Sequence, residues 1–127
     1  MPTFDLVLRG GVLVLPWGEE RADVGVRDGR IAAIGDLRGA AAAETIALDG
    51  LHVLPGVIDP HVHLRDPGQG AGADPAIETL ESGTRGAVLG GVCTVFDMPN
   101  TSPNITDRQT LDRKRDYAHG RIWCDLG

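Results

Sequence analysis

Two histidines one residue apart, His61 and His63, with Arg65 two residues further on, are the part of this chain best suited to chemistry. Side chains alternate between faces along an extended strand, so Asp59, His61, His63 and Arg65 are expected on one side. Two imidazoles converging on one point suit a borderline transition metal, zinc above all, and a ligating imidazole is commonly fixed by a carboxylate or carbonyl on its other nitrogen. Asp59 fits the bracing of an imidazole or of the strand end better than the role of a base. Arg65 offers a planar fork for an anionic ligand, or else a surface ion pair with Asp66 or another nearby acid. A His-x-His pair also arises by chance on exposed strands, so its surroundings have to decide.

An apolar run over residues 53–58 leads into the pair, and Pro67-Gly68 breaks the chain after it, which places the histidines where a strand opens into a loop. A second block, Met98-Pro99-Asn100-Thr101, follows another predicted strand, 92–97, and so falls at the same rim. The Asn100 amide has both a donor and an acceptor, which suits orienting a carboxylate or a cyclic imide; it also suits a plain turn between Pro99 and Pro103. His52 and His119 read as surface or packing residues. Cys93 and Cys124 lack Cys-x-x-Cys spacing and read as small buried side chains in strands.

The elements that must hold these residues change character near Leu54. Before it come short predicted strands, 4–8, 11–15, 22–27, 30–35, 44–49 and 51–54, with Asp28-Gly29 a type I′ hairpin turn and the alanine-rich 39–43 a loop. Residues 1–54 thus form a small β domain. From 55 to 127 the rhythm is strand, helix, strand, helix, strand, which signals parallel βα units. The first helix is expected to open with Asp74 as cap and Pro75 in its first turn, to use Ile77, Leu80, Thr84, Ala87 and Val88, and to end at Gly90-Gly91. The second opens at Thr106-Asp107, and residues 121–127 read as a third strand. Arg113-Lys114-Arg115 reads as a solvated helix face.

GVIDPHVHLRDPG (56–68) and ETLESGTRGAVLGGVCTVFDMPNTSP (78–103), in this order and separation, resemble the dihydroorotases of the amidohydrolase superfamily. The resemblance implies an α/β fold: the start of a metal-dependent (β/α)8 TIM barrel, preceded by part of a β-sandwich domain. It implies that His61 and His63 hold the more buried of two zinc ions, which share a hydroxide and a carboxylated lysine, and that Arg65 and Asn100 hold the substrate carboxylate. The reaction implied is the interconversion of dihydroorotate and N-carbamoyl-aspartate in pyrimidine synthesis. Related allantoinases generally have asparagine where Arg65 stands and hydantoinases lack the arginine, so Arg65 favours the dihydroorotase reading. A hydantoinase or allantoinase is the alternative within the superfamily. A homo-oligomer is a further expectation, as is a non-catalytic relative supporting aspartate transcarbamoylase.

A barrel of this kind takes about 250 residues, and this chain has 127. The later histidines and the proton-relaying aspartate of the resemblance are not in it, and Lys114, its only lysine, is expected on a helix rather than a strand. No catalytic residue is therefore assigned within the 127 residues, which are expected to be inactive alone and to be part of a longer protein. A formal charge of −6 argues against generic nucleic-acid binding. The amino terminus lacks a secretory pattern and no apolar run is long enough to span a bilayer, so the cytoplasm is the expected location.

Overall fold

The computed structural model describes residues 3–68 and 78–127. The chain divides into two compact units, Met1–Pro55 and Gly56–Gly127.

The first unit is a five-stranded sheet built around one long strand, β1 (Phe4–Leu15). β2 (Gly18–Arg27) returns antiparallel to it, and β3 (Arg30–Gly35) returns antiparallel to β2. β4 (Ala42–Ala47) pairs in parallel with the first half of β1, and β5 (His52–Val53) with the second half. The two strands expected over residues 4–15 are thus one strand, bent rather than broken. Gly10, at φ 77, absorbs the bend where the register against β2 shifts between Leu8 and Gly11, a bulge conformation that glycine adopts without steric cost. The buried carboxylate of Asp23 fastens it, accepting from the Gly10 amide at 2.9 Å and from the Leu37 amide at 3.0 Å.

β2 also starts earlier than residue 22, because pairing with β1 recruits Glu19, Glu20 and Arg21, whose polar side chains carry no strand signal of their own. Asp28 at φ 51 and Gly29 at φ 69 have the positive angles of a type I′ turn. Phe4, Val7, Leu13 and Val24 are buried in this unit.

In the second unit β6 (Val57–Val62), β7 (Val92–Asp97) and β8 (Asp125–Leu126) form a parallel sheet in chain order. α1 (Leu80–Leu89) lies between β6 and β7 in the chain, and α2 (Arg108–Ala118) between β7 and β8. Parallel neighbours need such crossovers. Three strands alternating with helices match the opening of a (β/α)8 barrel without closing one.

α1 is capped by Thr79: its hydroxyl accepts from the Ser82 amide at 3.0 Å, and the Ser82 hydroxyl accepts from the Thr79 amide at 2.9 Å. The expected Asp74 cap, Pro75 and Ile77 lie outside the described residues. α2 is capped by Asp107, which accepts from the Thr110 amide at 2.8 Å; that backbone donor holds the Asp107 carboxyl below its ordinary pKa.

Leu64, Leu80, Val95 and Ala118 form the core of this unit. Leu64 lies so close to Gly83 that a Cβ there would collide with its side chain, so the bare backbone of α1 lets the residue after His63 pack down. The expected burial of both cysteines does not hold. Cys93 is exposed and Cys124 half-buried. Cys93 sits at the start of β7 against Gly56, which has no side chain to cover it.

Candidate functional site

β6 and β7 are parallel neighbours, so their carboxyl ends open on the same edge, with Val62 in register with Asp97. The Met98 amide donates to the Val62 carbonyl at 2.8 Å, extending the pairing one residue past β7. His61 lies near the end of β6, His63 just beyond it, and Asn100 three residues after β7.

These three side chains meet. The Nε2 atoms of His61 and His63 are 3.1 Å apart, and His63 Nδ1 lies 3.0 Å from Asn100 Oδ1. The rings are edge-on, with centroids 5.0 Å apart and planes at 66°. Two nitrogens bound at 2.0–2.1 Å to one tetrahedral zinc would sit about 3.3 Å apart, so the convergence of the two imidazoles fits two positions of such a site. Among the described residues no group of three or more His, Cys, Asp or Glu side chains is arranged around a common point.

Asp59 braces the strand end, its Oδ1 accepting from the His61 backbone amide at 3.1 Å. Arg65 is exposed and is not carried on the strand alternation that was expected to align it with the histidines. β6 stops at Val62, the Leu64 amide turns to Asp97 Oδ1 at 2.9 Å, and Arg65 takes the left-handed conformation, φ 55. A residue at positive φ redirects its side chain, so period-two counting ends before it.

Charged residues far apart in the sequence meet beneath this rim. Lys114, expected on a solvated face, is buried, with its ammonium 2.9 Å from Asp97 Oδ2 at side-chain exposures of 8% and 2%. That contact is Coulombic and lacks the angle of a hydrogen bond. The same ammonium donates to the Asp66 carbonyl. The Asp66 carboxylate accepts from the Tyr117 hydroxyl at 2.7 Å, the Leu80 amide at 2.8 Å and Arg121 Nη2 at 3.2 Å, so the acid next to Arg65 is committed inward. The Arg121 guanidinium, stacked over the Tyr117 ring at 4.1 Å, is held above its ordinary pKa first by the Tyr117 hydroxyl and then by the Asp66 charge. The signal available in the sequence was spacing: Lys114, Tyr117 and Ala118 fall on one face of a helix.

The family model described as dihydro-orotase-like matches residues 50–122, more than half of the chain. The chain belongs to the dihydro-orotase-like family. An allantoinase of Deinococcus radiodurans is 41% identical over 126 residues, covering 98% of this dihydro-orotase-like chain and 27% of the relative. The L-hydantoinase, or dihydropyrimidinase, of Arthrobacter aurescens superposes with a TM-score of 0.86 at 32% identity, over 98% of this chain and 27% of that one. An N-acyl-D-glutamate deacylase of Bordetella bronchiseptica, solved with zinc and a phosphonate mimic of its tetrahedral intermediate, superposes with a TM-score of 0.57 at 34% identity, over 74% of this chain and 18% of that one.

The chain therefore spans about a quarter of the length of the allantoinase and hydantoinase it matches. Those relatives support the cyclic amidohydrolases and favour the allantoinase and hydantoinase alternative over dihydroorotase itself. Among the described residues, no helix is long and apolar enough to cross a membrane.

Proposed function

We propose that this chain carries the amino-terminal part of a metal-dependent hydrolase of small cyclic amides, of the allantoinase and hydantoinase kind. The observation that carries the proposal is the meeting of His61 and His63 Nε2 at 3.1 Å on the carboxyl edge of parallel strands. Enzymes of barrel architecture place their chemistry on that edge. The relatives named above supply the substrate class, and the zinc in the deacylase structure supports the choice of metal.

His61 and His63 would hold the ion, with Asp59 stiffening the strand end that presents them. The chemistry such an ion supplies when bound is Lewis acidity toward a ring carbonyl and hydroxide at about pH 7. Arg65, exposed at the rim, would meet a carbonyl or carboxylate of the substrate with its five donors. A second reading, dihydroorotate as substrate, draws on Arg65 alone, because a ring carboxylate is the group a guanidinium fork binds best.

The test is a substrate panel on the full-length protein loaded with zinc. Turnover of allantoin or a hydantoin ahead of dihydroorotate is the expected result. Preference for dihydroorotate, abolished by Arg65→Met, would establish the second reading instead. Failure of the zinc-loaded protein to open any of these rings would overturn both.

A further inference from the structure

The carbonyl oxygen of Asn100, the residue that the resemblance assigns to a substrate carboxylate, lies 3.0 Å from His63 Nδ1. That oxygen has no hydrogen to give, so the contact requires the proton on Nδ1 of His63. A neutral imidazole protonated at Nδ1 carries its lone pair on Nε2, the atom that faces His61 Nε2 at 3.1 Å. We propose that Asn100 is a positioning residue that locks His63 in the tautomer able to ligate a metal, an assignment that rests on the reading of His61 and His63 as ligands.

The backbone around Asn100 is built for holding. On one side the Met98 amide is tied to Val62, and on the other the Ser102 amide donates to the Pro67 carbonyl at 3.1 Å. Thr101, 2% exposed, turns its hydroxyl to the Pro103 carbonyl at 2.9 Å, and the Ile105 amide closes the loop on the Pro99 carbonyl at 3.1 Å. Both flanks of Asn100 are thus pinned, two of the ties reaching the segment that carries His63. Orientation fixed in this way is what a ligating imidazole needs from its outer partner. A neutral amide orients the ring without adding charge beside it. Because His63 is fixed by Asn100, the ring free to change tautomer when an ion enters is His61.

The test uses the full-length protein with Asn100→Ala and Asn100→Asp, reading two quantities: the His63 tautomer in the metal-free state by nitrogen NMR, and zinc affinity by chelator competition. Asn100→Ala is expected to let His63 populate both tautomers and to weaken zinc binding by about 10- to 100-fold. Asn100→Asp keeps the acceptor and is expected to hold the Nδ1–H tautomer, with zinc affinity equal to or above wild type. Aspartate would at the same time repel the carboxylate of dihydroorotate, so its effect on KM for that substrate separates the orienting role from the carboxylate-binding one. An Nε2–H tautomer in wild type, an Asn100→Ala protein unchanged in tautomer and affinity, or an Asn100→Asp protein as weakened as the alanine variant would each overturn the inference. A His63→Ala protein that keeps its zinc overturns the ligand reading, while the tautomer measurement on the wild-type protein still decides the Asn100–His63 bond.

Discussion

The charges of Asp36 and Arg38 are balanced over a short distance, and the behaviour of Asp36 with pH follows from its donors. The Asp36 carboxylate receives Arg38 Nε and Nη2 at 2.6–3.0 Å and the Arg38 amide at 3.0 Å, and the guanidinium bonds first, then the amide, lower its pKa from 3.8 to about 2. A folded pKa below the unfolded one adds stability that is complete above about pH 4 and is lost as pH falls toward 2. Both side chains are exposed, so solvent and salt screen the effect. Arg38→Gln is expected to return the Asp36 midpoint toward 3.8, read by carbon NMR of the carboxyl during an acid titration. An unmoved midpoint would mean that the backbone amide alone sets it.

One helix organises the candidate centre. From α2 and the turn after it, Lys114, Tyr117 and Arg121 reach Asp66 and Asp97, which follow His63 and precede Asn100 in the chain. Removing one partner of a buried ion pair leaves the other charge desolvated and uncompensated, at a cost of about 3–5 kcal/mol. Lys114→Met is expected to lose stability of that order in denaturant unfolding. The double variant Lys114→Met, Asp97→Asn is expected to regain much of it, because the neutral amide still accepts from the Leu64 amide. Equal losses in the single and double variants would show that the lysine acts through its contact with the Asp66 carbonyl instead.

Each unit of the molecule has its own sheet, and in the second several large apolar side chains of the strands and the segments beside them stay exposed: Val57, Ile58, Phe96 and Trp123 are 45–60% accessible. Parallel sheets normally bury both faces. A catalytic zinc site also needs three protein ligands, whereas among the described residues two imidazoles converge here. A polypeptide of residues 1–127 is therefore expected to show no zinc-dependent ring opening under conditions where the full-length protein turns over, measured side by side on one substrate. Metal-dependent turnover by the short polypeptide would overturn the two-ligand account.

The sequence by itself determined what depends on neighbours along the chain. The spacing of His61 and His63 at a strand end, the Asp28-Gly29 turn, the Asp107 cap and the alternation of strand and helix after residue 55 all follow from local backbone preferences, which act over a few residues. Tertiary structure alone decided what depends on residues far apart. Asn100 meets His63 across 37 positions and Lys114 reaches Asp66 across 48. The lysine's neighbours in sequence, Arg113 and Arg115, suggested solvent, and only two distant acidic residues account for its burial. Arg65 left the expected face because one positive φ cancels alternation, and that angle is set by bonds from Leu64 and Asp66 to β7, α1 and α2 rather than by the letters beside it.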